Sequence, residues 1–298
     1  MTLSLSPFFI DLPQTIPGLE HFIGSWVIPG PPTIVVDVGP TASVAQLMVL
    51  LEKKGIRKVD YVWLTHIHID HAGGLAPFLE QFPTARVVSH AKGLKHLIDP
   101  GKLWEGSLAT LKEMALAYQP IQAVPAERLI PHEAARLDGL TILETPGHAP
   151  HHLSFCYQEV LFSGESAGVY LPFWEKIYLR PPTPPRFFFE QAVGSVDRML
   201  ALKDRPIFFA HAGSYPSSRE ILTLYREQLF FWKELITEVL QANPTEILER
   251  ATDLLLEKDP LLECFRQMDG PAQKRERFFM ANSIAGFVGY LQDQSKTS

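Results

Sequence analysis

A chain of 298 residues with 46% hydrophobic content can bury a large core, as one α/β domain or as a catalytic domain with an appendage. Its formal charge is −6 and its Lys and Arg are scattered, which argues against a polyanionic partner, so no nucleic acid is expected. No run reaches the roughly 20 apolar residues of a spanning helix, Met1–Ile10 lacks the basic start of a signal peptide, and Cys156 and Cys264 are too few for a disulfide framework; the expectation is a cytoplasmic protein with no membrane partner.

The first third reads as strands at Phe8–Leu12, His21–Ile28 and Thr33–Val38, the last ending in Asp37-Val38-Gly39-Pro40. From Thr41 the period changes, and Val44, Leu47, Met48 and Leu51 recur at helical spacing until Gly55. Val59–Leu64 is an apolar strand, Gly74–Phe82 a short helix stopped by Pro83, and Arg86–Ser89 another strand; the stretch from there to Ile121 receives no assignment. A second β-rich region follows through Leu140–Glu144, Leu153–Tyr157 and Val160–Ser163, with turns at Asp138-Gly139 and Gln158-Glu159. Phe187–Leu202 is then expected as a helix and Pro206–Ala210 as a buried strand. Two successive αβ halves predict an α/β fold, a four-layer αββα sandwich. After Ser214 the pattern is helical, at Ser218–Gln241, Pro244–Glu257 and Arg275–Leu291, with Ser217 or Ser218 as N-cap and Glu220 in the first turn. Residues 1–215 are thus expected as the catalytic domain and 216–298 as a C-terminal helical region packing on it.

The informative segment is Leu64-Thr65-His66-Ile67-His68-Ile69-Asp70-His71-Ala72-Gly73-Gly74, directly after an apolar strand. In extended chain His66 and His68 face the same way while Ile67 and Ile69 turn into the core. Asp70 and His71 fall where the strand gives way to a Gly-rich turn, which can swing both to a second point nearby, so two metal positions follow. Three or more protein ligands per ion are needed, and later strand ends offer them. His148 follows Thr145-Pro146-Gly147 after the strand Leu140–Glu144, Glu165 follows Phe162-Ser163-Gly164, and His211 follows Phe208-Phe209-Ala210. His90, His96, His132, His151 and His152 are read as structural or supporting residues.

Thr65–Gly74, Thr145–Phe155, Phe162–Ser166 and Phe209–Gly213 resemble, in order, the successive metal motifs of the metallo-β-lactamase superfamily. Val35-Val36-Asp37-Val38-Gly39 also resembles that family's strand before its first helix, and the likeness spans roughly residues 8 to 214. The resemblance implies the αββα fold and two divalent metal ions, Zn foremost with Fe or Mn as alternatives. His66, His68 and His148 would hold one ion, Asp70, His71 and His211 the other, and Glu165 would lie between them. Glu165 departs from the pattern, because the family usually has Asp there and Glu reaches roughly 1–1.5 Å further. A backbone shift absorbs the difference, or the metal spacing changes, or a single ion binds; the dinuclear site is the expectation.

A divalent ion lowers the pKa of bound water towards 7, making hydroxide available without a Ser or Cys nucleophile, and Asp70 would ligate one ion and orient the attacking water. The aromatic stretch Val169–Tyr178, followed by Pro181-Pro182-Thr183-Pro184-Pro185, either roofs a cleft for an apolar acyl or thioester chain or simply covers the core. With its C-terminal helices the chain resembles glyoxalase II and related thioester or lactone hydrolases more than the family's nucleases, although no Lys and Arg signature specifies glutathione. The expected function is hydrolysis of a small ester, thioester or lactone. The alternatives are a mononuclear iron oxygenase like the persulfide dioxygenases, using His66, His148 and Glu165, or a phosphodiesterase. A small-molecule substrate is the expected partner, and a homodimer stays open.

Overall fold

Apolar, β-branched segments at the start of the chain pair as short antiparallel strands: β1 (Phe8–Asp11) with β2 (Gly24–Ile28), and β2 with β3 (Ile34–Val36). A computed structural model describes residues 6–172, 175–242 and 245–297, and its chain divides into two compact units. One unit runs up to Ile142 and adds His151–Leu153 and Ala210–Ala212; the other comprises Leu143–Pro150, Ser154–Phe209 and the chain from Gly213 onward.

In the first unit β3 continues in parallel to β4 (Tyr61–Trp63), β5 (Arg86–Ser89) and β6 (Leu129–Pro131), completing a six-stranded sheet in the order β1-β2-β3-β4-β5-β6. Val35, Val62, Val87 and Leu129 stand in register across it and are buried, as parallel strands covered on both faces require. Each parallel step needs a crossover. α1 (Val44–Lys53) makes the first, burying Val44, Leu47 and Leu51 on the stripe that the sequence period predicts. α2 (Ile69–Ala72) and α3 (Leu75–Gln81) make the second. The third holds α4 (Ala91–Ile98), α5 (Gly101–Leu111) and α6 (Glu113–Tyr118), none of which the sequence reading assigned. α5 carries Leu103, Trp104, Leu108 and Leu111 on one helical stripe that is only partly covered, and α4 is capped by a histidine, His90 Nδ1 accepting from Lys92 N at 3.1 Å.

The second unit carries a five-stranded sheet in the order β13-β12-β9-β8-β7, where β7 is Leu140–Glu144, β8 Leu153–Tyr157, β9 Val160–Gly164, β12 Ile207–Phe209 and β13 Ser214–Tyr215. β8 and β9 form a hairpin closed by Gln158-Glu159, as expected, with Gln158 at φ 53°. β12 runs parallel to β9 after the crossover helix α7 (Phe189–Leu200). The segment expected as an aromatic loop is instead a buried two-stranded ribbon: β10 (Val169–Leu171) pairs with β11 (Tyr178–Arg180), Tyr170 opposite Leu179. Phe173 and Trp174, which that expectation also invoked, lie outside the described residues.

Helices then follow as predicted, α8 (Ser218–Ala242), α9 (Ile247–Lys258) and α10 (Gly270–Thr297), with a 3-10 segment at Pro260–Gln267. Ser217 Oγ accepts from Glu220 N at 3.1 Å, the anticipated cap of α8. α10 starts five residues earlier than the apolar period suggests, because Pro271 is tolerated in a first turn and Asp269 Oδ1 caps Ala272 N at 2.8 Å. Among the described residues no helix is long and apolar enough to cross a membrane.

Candidate metal centre

In the first unit, the chain beyond β4 stays extended, Leu64 N donating to Val88 O at 2.9 Å, and carries Thr65 to His68 past the sheet's edge. Ile67 and Ile69 are buried, as the alternation predicts, and His68 (φ −61°, ψ 151°) is still extended. Asp70 and His71 then lie in the single turn of α2 rather than in a glycine-rich turn. Gly73 and Gly74 follow as a packing device: a Cβ at Gly73 would fall 2.2 Å from Ile69 O, and Gly74 N bonds Gly39 O at 2.9 Å.

Asp37, at the end of β3, organises this loop. Buried, and held at φ 55°, it accepts from Thr65 N through Oδ1 at 2.8 Å, and through Oδ2 from Thr65 Oγ1 at 2.7 Å and His71 Nδ1 at 3.1 Å. A carboxylate only accepts, so the Thr65 hydroxyl proton points at Asp37, and Thr65 Oγ1 in turn accepts from His66 Nδ1 at 3.0 Å. His66 and His71 thereby keep their protons on Nδ1 and present Nε2 lone pairs. His66 Nε2 faces His68 Nδ1 at 3.0 Å, and His71 Nε2 faces Asp70 Oδ2 at 3.4 Å. One ligand atom each from Asp70, His71 and His211 lies within 4.8 Å of the others. The ring of His211 stacks on Phe22 at 4.1 Å and that of His152 on His66 at 5.3 Å, which fixes ring planes.

In the second unit β7 leads into Thr145-Pro146-Gly147, where Gly147 takes φ 155° and leaves a Cβ no room against Ala192 of α7, at 2.9 Å. The turn delivers His148, whose Nδ1 donates to Pro182 O at 2.9 Å and whose Nε2 lies 2.9 Å from Glu165 Oε2. Glu165, directly after β9, is buried. Two buried side chains share its electrostatic surroundings: burial pushes the Tyr225 phenol well above its ordinary range, Glu165 pushes it further, and Arg180 opposes.

A divalent cation fits this donor set on chemical grounds. His66, His71 and His148 each commit Nδ1–H to an oxygen acceptor, so Nε2 is the atom each turns towards another ring nitrogen or a carboxylate at 2.9–3.4 Å, and a carboxylate there calls for a proton or a cation on Nε2. Acceptors crowded in this way are what a cation relieves. Five predicted ligands, His66, His68, Asp70, His71 and His211, thus stand in the first unit, and His148 and Glu165 stand together in the second. His90 and His132 pack with tilted rings, centroids 4.6 Å apart, and cap the start of α4, His132 Nδ1 accepting from Ala91 N at 3.3 Å, which is a structural role. The sequence reading missed the supporting acceptors: Asp37 was legible as a lone acid closing an apolar strand, whereas the Pro182 carbonyl carries no sequence signal.

The profile of the Metallo-beta-lactamase superfamily matches residues 22–211. The chain is 32% identical over 190 residues to the metallo-beta-lactamase fold-containing protein of Sulfurisphaera tokodaii, covering 61% of this chain and 69% of that one. It is 31% identical over 133 residues to the hydroxyacylglutathione hydrolase of Stenotrophomonas maltophilia, covering 45% of this chain and 41% of that protein, so the chain spans less than half of that relative's length. The crystal structure of an archaeal metallo-beta-lactamase superfamily protein from Sulfolobus tokodaii superposes with a TM-score of 0.68 at 23% identity, over 96% of this chain and 99% of that one, and shows the same fold.

Proposed function

Because this chain belongs to the metallo-β-lactamase superfamily, we propose that it is a metal-dependent hydrolase acting on a small ester, thioester or lactone. The observation that carries the reading is the commitment of imidazole Nδ1 protons to Thr65, Asp37 and Pro182, which leaves Nε2 of His71 and His148, beside Asp70 and Glu165, as the atoms that would meet a cation. In this reading His66, His68, His148, Asp70, His71, His211 and Glu165 would hold two divalent ions; zinc is the first choice, iron or manganese the alternatives. Bound ions supply Lewis acidity and activate water at neutral pH. The chain's residues supply orientation: Asp37 holds His71 directly and His66 through Thr65, and Pro182 holds His148. Asp70, whose carboxylate is 19% exposed, would orient the attacking water as well as ligate, a role its partial exposure supports.

The thioester class is favoured by the likeness to a hydroxyacylglutathione hydrolase, and the formal charge of −6 disfavours a polyanionic phosphodiester. Residues 1–215 act as the catalytic domain and the helices of 216–298 support it, in a cytoplasmic setting that suits the free, buried Cys156 and Cys264.

The test is metal content per chain, followed by turnover on an ester, thioester and lactone panel. Two ions per chain and turnover that a chelator abolishes are expected, with His66→Ala and Asp70→Ala each losing about a hundredfold or more, beyond the 10–100-fold typical of residues that only orient a ligand. Full turnover in either variant would exclude this mechanism. One iron per chain with oxygen uptake on a persulfide would replace the reading by the mononuclear oxygenase, for which Glu165 in place of Asp is the motivating departure.

A further inference from the structure

From Arg180, the last residue of β11, the chain divides between two tasks. Arg180 pairs through Nε with Glu276 of α10. Pro181 O accepts from Ser283 Oγ at 2.7 Å, Thr183 N donates to that same oxygen at 3.2 Å, and Thr183 Oγ1 donates to Ser283 O at 3.3 Å. Gly286 packs so tightly beneath Thr183 that a Cβ there would stand 1.9 Å from Thr183 O. Between these anchors Pro182 turns its carbonyl the other way, to His148 Nδ1 at 2.9 Å. Prolines at 181, 182, 184 and 185 fix φ and remove four N–H donors, so the strap has little freedom to settle elsewhere.

We propose that α10 is a positioning element of the metal centre: Ser283 and Gly286 hold the 180–183 strap so that the Pro182 carbonyl keeps the His148 proton on Nδ1 and leaves Nε2 to ligate. The need for such a clamp is visible in the geometry. Glu165 Oε2 lies 2.9 Å from Nε2, a rival acceptor of equal reach, and a neutral His148 that carried its one proton on Nε2, donating it to Glu165, could not bind an ion through that nitrogen. The functional consequence rests on the proposed metal reading, whereas the proton placement does not.

The test compares Gly286→Ala and Ser283→Ala with Gly289→Ala, a control on the same helix where a Cβ meets nothing within 4 Å. Two quantities are read on the full chain: the protected His148 Nδ1–H resonance in 15N-histidine-labelled, metal-free protein, assigned by its loss in His148→Gln, and zinc affinity by competition with a chromogenic chelator. Gly286→Ala is expected to lose the protected proton and to weaken zinc by about tenfold or more, within the range for residues that orient a ligating histidine. Ser283→Ala moves the same way by less, and carries the test should Gly286→Ala not fold; Gly289→Ala matches wild type. An unchanged resonance and unchanged affinity in folded Gly286→Ala and Ser283→Ala overturn the proposal. If wild type binds no zinc while both variants still lose the proton signal, the clamp stands and the metal reading falls.

Discussion

Replacing Asp37 with Asn isolates the contribution of one buried carboxylate at nearly constant volume. Asn also tolerates the φ of 55° that Asp37 adopts, so no backbone strain is added. Asp37 accepts three hydrogen bonds, at 2.8, 2.7 and 3.1 Å, and the amide offers one oxygen and one NH2. If the oxygen stays with Thr65 N, the NH2 occupies the Oδ2 position and can accept from neither Thr65 Oγ1 nor His71 Nδ1. Two hydrogen bonds to a charged acceptor, each worth about 1.5–3 kcal/mol, are then replaced by weaker neutral ones, a net loss on the order of 2–3 kcal/mol. His71 must also move its proton to Nε2, the atom facing Asp70 at 3.4 Å, and so ceases to be a ligand through that nitrogen. Metal affinity should fall by about 10–100-fold, or roughly 1.4–2.7 kcal/mol. Chelator competition reads the affinity, urea melts of metal-free protein read the stability, and 15N-histidine spectra read the proton. A folded Asp37→Asn protein with wild-type affinity and an intact His71 Nδ1–H signal would refute the reasoning.

Acid should weaken the second unit through Glu276, whose carboxyl burial would raise but Arg180 and Arg275 hold down to about 2, against an ordinary value of 4.5. Because the folded pKa is the lower one, this stabilisation is complete above about pH 4.5 and is lost as pH falls towards 2; its size is on the order of 3 kcal/mol, and urea midpoints that stay flat across that window would contradict it. Gly147→Ala should cost about 1–3 kcal/mol and displace His148, since φ 155° suits only glycine and the new Cβ meets Ala192; a Tm equal to wild type would show that the turn can relax. Adding zinc at about a hundred times its Kd to stripped protein should stabilise the fold by roughly 2.7 kcal/mol by linkage, and an unmoved melting curve would show that the site does not bind it.

Much of this molecule is written in local pattern. The alternation of His66 and His68 with Ile67 and Ile69, the helical stripe of Val44, Leu47 and Leu51, and the turn at Gln158-Glu159 are all properties of neighbours a few residues apart, and each emerges in the structure. α5 carries such a stripe too, Leu103, Trp104, Leu108 and Leu111, all only partly buried, and is a local pattern that the expected elements omit. The ribbon of β10 and β11 escaped because its strands are three residues each, too short for an alternation to stand out.

Sequence alone determined which side chains are of ligand type and that each follows a strand, because residue identity and short-range periodicity need no partner. Only the tertiary structure decided which oxygen meets the Nδ1 of His66, His71 and His148. Among these acceptors, Asp37 comes from 34 residues before His71 and Pro182 from 34 residues after His148. A ring proton is held by the acceptors arranged around it, and folding chooses which acceptors are near.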